Sequence, residues 1–422
     1  MNYQLKTLKN GLRLVTIPLP VKSVTIEISV DAGSRYETKE NSGLSHFLEH
    51  MFFKGTKKRP TARDLATEVD SFGGVINAAT SKEDTSFYVK AAAEHLPQAI
   101  DILVDILINS KFERKEIEKE KGVIIEEINM HEDTPMVKIG EIFDSLLYRD
   151  SSLGREISGK KENIRKIQRR DFLKYLSHFY QPERIVVAIA GGCESAGKTT
   201  ESLLNDSFAS QAKSPIREEF TFFQNKSQLK VHYKKTEQAH FCLGVPAFKR
   251  IHQDRYVLSV LATILGGSMS SRLFEEVRGK RGLAYYVRTE TECFHETGYL
   301  VTQAGTDINK IDEAIKVVLA EYYKVQSSKF KVQSEELKKA KEFLKGRLIL
   351  DLEDSHAVAS LFGSSLLLEG RIRTPEEMIK GVEKVTPADI QRVAKKLFLP
   401  ENLNLAIIGP YKKPEKFEKI LD

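Results

Sequence analysis

Two patterns of apolar and polar residues alternate along the chain. Short stretches such as SVTIEISV (residues 23–30) alternate the two residue types, which predicts strands with one buried face. Longer stretches such as AAAEHLPQAIDILVDIL (residues 91–107) repeat apolar residues every three or four positions, which predicts helices packed on a sheet. The chain therefore mixes helices with sheets of mainly antiparallel strands.

One part of the sequence is repeated. Residues 164–192, IRKIQRRDFLKYLSHFYQPERIVVAIAGG, align without a gap with residues 382–410, VEKVTPADIQRVAKKLFLPENLNLAIIGP. Both stretches predict an amphipathic helix, a turn at a proline and an apolar strand. We therefore expect an α+β protein with two homologous domains related by internal duplication, each a mostly antiparallel sheet packed with helices. A polar linker after Cys193 separates the predicted domains, residues 1–213 and 214–422.

Composition narrows the class of protein. The 422 residues include 65 Lys and Arg against 59 Asp and Glu, and a net charge of +6 gives little reason to expect a nucleic-acid partner. Three cysteines without a Cys-x-x-Cys pair fit a reducing compartment. No apolar run reaches the roughly 20 residues of a membrane span, and the first residues lack a signal peptide's apolar run. We expect a cytoplasmic protein with no membrane partner.

The stretch SGLSHFLEHMFF (residues 42–53) carries the candidate chemistry. Ser42 is a suitable N-cap and Gly55 a suitable C-terminal stop, so residues 43–54 predict a helix of three turns. At about 100° per residue, its apolar side chains gather on one side of the helix. The polar side chains gather on the opposite side.

That polar side suggests a metal site. His46, Glu49 and His50 are spaced i, i+3 and i+4, which directs both imidazoles and the carboxylate to one spot. The order is the reverse of the His-Glu-x-x-His signature of zinc proteases, but the two histidines remain one turn apart. Imidazole pairs suit zinc best among the common ions. The alternative interpretation is a solvated polar face.

A catalytic zinc ion usually takes three protein ligands, so a third must come from another segment. The strongest candidate is the charged stretch FERKEIEKEKGVIIEEINMHEDTP, residues 112–135. Glu120 and Glu127 are seven residues apart and share a helix face, whereas Glu126 points about 100° away. Spacing alone does not choose between Glu126 and Glu127.

Several motifs together resemble a known family. They are, in order, KNGLRLV, DAGSRYE, SGLSHFLEHMFFKGT, GGVINAATSKEDTSFYV, EKEKGVIIEEI and GGSMSSRLFEEVRGKRGLAYYV. The sequence resembles the inverted-motif zinc peptidases, the family of pitrilysin and insulin-degrading enzyme. It is most similar to the half-length branch that includes the mitochondrial processing peptidase and bacterial relatives. The similarity spans essentially the whole chain.

The resemblance implies a role for each matching position. His46, His50 and Glu127 would be zinc ligands and Glu49 the catalytic acid, while Glu120 would orient a ligand. In the second half, the family's Arg and Tyr pair matches Arg278 and Tyr285. Without the resemblance, the residue pattern would indicate a solvated cation at Arg278 and a strand residue at Tyr285. The family's sheet edge beside the metal matches Asn77 and Ala78.

These assignments predict a zinc-dependent endopeptidase with one Zn²⁺ per chain. Zinc-activated water, with Glu49 as general base, would hydrolyse peptides or unfolded segments inside a closed chamber. The family's long members build that chamber from four domains, so we expect a homodimer in which Arg278 and Tyr285 act on the partner's site.

Two other functions deserve comparison with this prediction. A catalytically silent relative could serve as an assembly or scaffold subunit, although here all the zinc and acid positions are filled. GCESAGKT, Gly192 to Thr199, matches a phosphate-binding loop after an apolar strand. Its counterpart after Gly409 has no such loop, and no later strand offers a magnesium-binding Asp, so we interpret this match as a coincidence in the linker.

Overall fold

The protein, seen in a computed structural model, forms two compact units. The structure describes residues 1–193, 196–208, 220–327 and 334–421. The first unit comprises Met1–Asn129, Arg155–Glu218 and Ile349–Pro375, and the second comprises Met130–Gly154, Glu219–Leu348 and Glu376–Asp422. Each unit thus includes one segment from the opposite half of the sequence. The predicted boundary at 213 and 214 lies outside the described residues and stays a prediction.

Eleven strands and fifteen α-helices occur in the described part of the chain. The strands are β1 (Gln4–Thr7), β2 (Arg13–Pro18), β3 (Ser23–Val30), β4 (Val75–Thr80), β5 (Thr85–Ala92), β6 (Ile185–Gly191), β7 (Gln228–Tyr233), β8 (Gln238–Ala247), β9 (Ala284–Cys293), β10 (Gly298–Asp307) and β11 (Asn404–Gly409). The helices are α1 (Leu44–Phe52), α2 (Ala62–Ser71), α3 (Leu96–Asn109), α4 (Arg114–Asp133), α5 (Pro135–Leu147), α6 (Lys161–Lys166), α7 (Arg169–Phe179), α8 (Lys198–Ser207), α9 (Arg255–Gly266), α10 (Ile311–Gln326), α11 (Ser334–Asp351), α12 (Ser355–Glu369), α13 (Pro375–Glu383), α14 (Pro387–Leu397) and α15 (Glu415–Leu421). None of these helices has the length and apolar character needed to cross a bilayer.

The first unit is built on a six-stranded sheet in the order β1-β2-β6-β3-β5-β4. Only the β2–β6 pair is parallel among these strands. Alternate residues of β6 enter two different cores: Ile185, Val187 and Ile189 pack with α1 and α3, while Val186 and Ala188 pack with α12. Because both faces of this strand are buried, its sequence is a continuous apolar run rather than an alternating one.

The second unit repeats this plan with five strands in the order β7-β11-β8-β10-β9. The β7–β11 pair is parallel, as β2–β6 is in the first unit. Alternate residues of β11 again divide between two cores, one of which includes α5. The repeated sequence adopts the same structure twice, since α7 and α14 both begin with a capping box and are followed by a 3₁₀ turn and a strand that pairs with neighbours on both sides. The predicted fold class is confirmed.

A buried carboxylate lies in the face of the first sheet that α12 covers. Glu27 of β3 is 2% exposed, and its Oε1 accepts a 3.0 Å hydrogen bond from Ser29. Its Oε2 has no hydrogen-bond partner in the described residues, and His356 Nε2 of α12 lies 3.5 Å away. Burial raises the pKa of Glu27 to about 7, although the Ser29 and Ser360 hydroxyls oppose the shift. Asp84 adds to it.

We expect this carboxylate to make stability depend on pH. The pKa of Glu27 rises on folding from 4.5 to about 7, so the folded state holds the proton more tightly. Its contribution to stability is therefore fully present below the unfolded pKa and is lost as pH rises through the folded one. The free energy of unfolding should fall by at most about 3 kcal/mol over that range.

The measurement compares urea unfolding of the wild type and Glu27→Gln between about pH 5 and pH 8. The wild type should lose stability relative to the variant as pH rises, because the amide does not titrate. The exposed Glu94→Gln serves as a control and should follow the wild type. Parallel pH profiles for the wild type and Glu27→Gln would contradict the burial argument.

Candidate metal centre and active site

Helix α1 has the two faces that its sequence predicts. Its apolar side chains are buried in the core of the first unit, whereas His46, Glu49 and His50 are only partly buried. The rings of the two histidines lie 4.6 Å apart, between centroids, as their spacing of one turn requires. The buried apolar side chains are Leu44, Phe47, Leu48, Met51 and Phe52.

The start of α1 differs from the prediction that Ser42 caps it. Gly43 occupies the N-cap position with a φ of +98°, and a glycine has no side chain that could cap the helix. A Cβ at Gly43 would lie 2.7 Å from Ser158 O, so the turn requires glycine. The buried Glu37 instead accepts hydrogen bonds from Gly43 N (2.8 Å) and Ser45 N (2.6 Å). The predicted cap was wrong because a residue outside the helix satisfies these amides.

Glu37 is a carboxylate held in the interior at the positive end of the helix dipole. Burial raises its pKa to about 7, although the donors at Ser45 and Gly43 and the charge of Arg155 oppose this. Its two oxygens fix the first turn of α1 through Gly43 and Ser45, and His46 directly follows Ser45. The sequence stretch DAGSRYE contains this glutamate, but residue spacing gave no reason to place it at the helix.

Helix α4 brings a third potential ligand to the two imidazoles. Glu127 Oε1 lies 3.5 Å from His46 Nε2, and its Oε2 lies 3.6 Å from His50 Nε2. One ligand atom from each of the three residues lies within 4.8 Å of the others, and no other such group occurs in the described part of the chain. Glu126, the alternative that spacing left open, is exposed.

The donor set fits a tetrahedral zinc ion. The nitrogen–oxygen distances of 3.5 and 3.6 Å exceed those of ordinary hydrogen bonds. Zinc bonds of roughly 2.0–2.2 Å in a tetrahedral arrangement separate neighbouring ligand atoms by about 3.4 Å. Each imidazole nitrogen therefore lies about as far from a Glu127 oxygen as two ligand atoms of one zinc ion lie from each other.

Glu120, about two turns before Glu127 in α4, supports this arrangement. It is 2% exposed, and its Oε1 lies 2.9 Å from His50 Nδ1 while Oε2 lies 2.7 Å from Lys54 Nζ. Burial disfavours its charged form, but the hydrogen bonds from His50 and Lys54 outweigh burial and lower the pKa of Glu120. A carboxylate on Nδ1 directs the other imidazole nitrogen, Nε2, toward Glu127. His46 Nδ1 is buried without a hydrogen-bond partner in the described residues.

Glu49 is held by a residue that the sequence did not single out. Thr80, at the end of β4, donates a 2.6 Å hydrogen bond from Oγ1 to Glu49 Oε2. Behind this pair, the Tyr180 ring packs against Phe52, with 5.6 Å between centroids. Burial raises the pKa of Tyr180, the Thr85 hydroxyl lowers it, and the Glu49 carboxylate adds to the rise. Thr80 belongs to the stretch INAAT, but only the tertiary structure places it beside α1.

Asn77 and Ala78 lie on β4, which is an edge strand of the first sheet. They pair with Tyr88 and Phe87 of β5, so the opposite side of β4 is not paired with any strand in the described residues. The Asn77 side chain is exposed, and its Oδ1 accepts a 2.9 Å hydrogen bond from Ala78 N. An extended peptide can add to an edge of this kind.

Arg278 and Tyr285 lie in the second unit. Arg278 lies near the end of a π-helical segment, Phe274–Gly279, and Tyr285 is the second residue of β9, an edge strand. The guanidinium lies 4.9 Å from the centroid of the Phe274 ring and 5.8 Å from that of Tyr285. The Tyr285 side chain is 75% exposed. The structure therefore brings the predicted pair together and presents its phenol at the surface of the unit.

The phosphate-loop match falls partly outside the described residues, since Glu194 and Ser195 are among those not described. The preceding strand, β6, ends at Gly191, and α8 begins at Lys198. The structure therefore leaves the interpretation of this match as a coincidence untested.

Comparisons with known proteins agree with the geometry. Residues 13–161 match the model of the insulinase family, peptidase family M16, and residues 166–344 match that of the M16 inactive domain. The uncharacterized zinc protease YmxG of Bacillus subtilis is 37% identical over 406 residues, covering 96% of this chain and 97% of the relative. The beta subunit of the mitochondrial-processing peptidase of Dictyostelium discoideum is 30% identical over 418 residues, covering 96% and 88%.

A solved structure extends the similarity to the fold. The crystal structure of a protease from Helicobacter pylori matches with a TM-score of 0.88 at 24% identity, covering 97% of this chain and all of that one. The family models together cover most of the sequence, and the relatives include proteins named as zinc proteases. This chain belongs to the insulinase family of zinc peptidases, family M16.

Proposed function

We propose that this protein is a zinc-dependent endopeptidase whose metal is held by His46, His50 and Glu127. The convergence of these three side chains, from two segments far apart in the sequence, is the observation that carries the proposal. Two imidazoles and one carboxylate are a donor set that suits catalytic zinc and leaves a fourth position for water. We expect one Zn²⁺ per chain.

Glu49 is the proposed general base. When bound, zinc polarises a water molecule and lowers its pKa toward neutrality, so that a carboxylate can remove the proton. Glu49 lies on the same face of α1 as the two histidines and directly precedes His50. It would take the proton from water and later deliver it to the leaving amine.

The edge of β4 is the proposed substrate-binding strand. A peptide that pairs with the main chain at Asn77 and Ala78 adopts an extended conformation, which selects unfolded segments over folded ones. Main-chain pairing of this kind depends little on side-chain sequence. The substrate class that follows is peptides or unfolded segments held in a closed chamber.

Arg278 and Tyr285 are the proposed second part of the catalytic machinery. A phenol hydroxyl donates a hydrogen bond to the oxygen that gains charge during peptide hydrolysis, and a guanidinium supports that charge. Tyr285 is exposed and makes a cation–π contact with Arg278, so the pair lies at the surface of its unit. We propose that the pair serves the zinc site of a second copy in a homodimer.

The other candidate function is a catalytically silent subunit, since the second half of the chain matches a model described as an inactive domain. The donor set of the first half favours the peptidase, because a silent subunit has no need for three converged ligand atoms beside a carboxylate.

Glu49→Gln is the first test of the mechanism. The amide keeps the shape of the side chain but cannot accept the proton, so zinc should remain bound while turnover falls by at least about 100-fold. Cleavage of a defined peptide library, followed by mass spectrometry with and without chelator, measures turnover, and elemental analysis measures zinc. Wild-type cleavage by the variant would remove Glu49 from the role of base.

Glu120→Gln tests how the metal is held. Loss of the charged partner of His50 should weaken zinc binding about 10–100-fold, because carboxylates behind ligand histidines orient them and raise their basicity. Competition with a chromophoric chelator gives the dissociation constant. The exposed Glu126→Gln, on the same helix, is the matched control and should bind zinc as the wild type does. Equal affinities for all three proteins would exclude the orienting role.

Mixed dimers test whether the sites are completed by the partner. If they are, a Glu49→Gln subunit paired with a Tyr285→Phe subunit has one intact site, and activity should return. A wild-type subunit paired with a doubly substituted subunit is the control and should then have no intact site. The opposite ranking, with subunit exchange proven by native mass spectrometry, would assign Tyr285 to its own chain's site.

A further inference from the structure

Thr80 lies at the junction between the edge strand and the metal-binding helix. It is the last residue of β4, the strand that carries Asn77 and Ala78, and its side chain is partly buried. Its hydroxyl lies 2.6 Å from Glu49 Oε2 on α1. One side chain therefore connects the proposed base to the proposed substrate strand.

The hydrogen-bond pattern fixes the direction of this contact. Thr85, which pairs with Thr80 across the two strands, is fully buried and donates its only hydroxyl proton to Ala32 O at 2.7 Å. The two threonine oxygens are 3.5 Å apart, which is a weak contact. Thr80 thus has one proton to donate, and Glu49 Oε2, at 2.6 Å, is the acceptor within hydrogen-bond distance.

We propose that Thr80 is a positioning residue for Glu49, which it ties to the strand where the peptide binds; this inference rests on the proposed function. Thr80 engages Oε2, so Oε1 is the oxygen presented for proton transfer. A glutamate side chain otherwise samples several rotamers, and a displacement of about 1 Å in a reacting group can reduce the rate about 100-fold. The contact holds the base in place before substrate arrives.

A purely structural role for Thr80 would have a different signature. If its hydroxyl served only to order the end of β4, its loss would disturb peptide pairing and raise KM. The proposed role leaves the main chain of β4 unchanged, so peptide affinity should be retained. The loss should appear in kcat.

The test uses two substitutions of the full-length protein. Thr80→Val keeps the shape of the side chain without the hydroxyl, and we expect kcat to fall about 10–100-fold with KM and zinc content unchanged. Thr80→Ser keeps the hydroxyl and should stay within about threefold of the wild type. Thr7→Val, on β1 at the opposite edge of the same sheet, is the control and should have no effect.

Crystal structures of the two variants supply a readout that does not depend on activity. The Glu49 carboxylate should keep its position in Thr80→Ser and rotate away from it in Thr80→Val. An unmoved Glu49 in Thr80→Val, an unchanged kcat, or equal losses in both variants would overturn the inference. A higher KM at constant kcat would also overturn it. Failure of the wild type to cleave peptides would instead refute the proposed function, and the position of Glu49 would still decide the role of Thr80.

Discussion

The site depends on the approach of one carboxylate to two imidazoles that a helix already holds one turn apart. Helix geometry fixes the separation of His46 and His50, whereas Glu127 comes from α4, more than 70 residues further along the sequence. Its oxygens lie 3.5 and 3.6 Å from the two Nε2 atoms, at distances that suit a shared ion better than direct hydrogen bonds. Most of the surrounding structure maintains this approach.

Three contacts act on three different parts of α1. Glu37 holds its first turn, Glu120 holds the ring of His50, and Thr80 holds the carboxylate of Glu49. The position of α4 is set in turn by Ile117, Ile124 and Ile128, which are at most 3% exposed in the core of the first unit. The apolar face of α4 thus packs in the core. Because this packing fixes the position of the helix, it also fixes where Glu127 meets the two histidines.

Local pattern was sufficient to predict the helices and strands and two of the three proposed ligands. The faces of α1 and the repeated helix–turn–strand unit follow from periodicity because side-chain direction is set by the backbone. The choice between Glu126 and Glu127 did not follow, since both lie on α4 and only the fold decides which one faces α1. Family resemblance selected Glu127, the residue that the structure brings to the histidines.

The residues that support α1 could not be predicted in the same way. Glu37 and Thr80 act on it from a loop and from an edge strand, and neither contact leaves a periodic signal in the sequence. The expected Ser42 cap was wrong for the same reason, because local propensity was overridden by a buried carboxylate from outside the helix. Tertiary contacts, rather than local pattern, determine how the site is held.

Anomalous diffraction at the zinc edge, from crystals of the purified protein, would show whether one ion lies between these three side chains. We expect one strong peak per chain, about 2.0–2.2 Å from His46 Nε2, His50 Nε2 and a Glu127 oxygen. A peak elsewhere on the chain would contradict it, as would a protein that binds no zinc while these three side chains keep their positions.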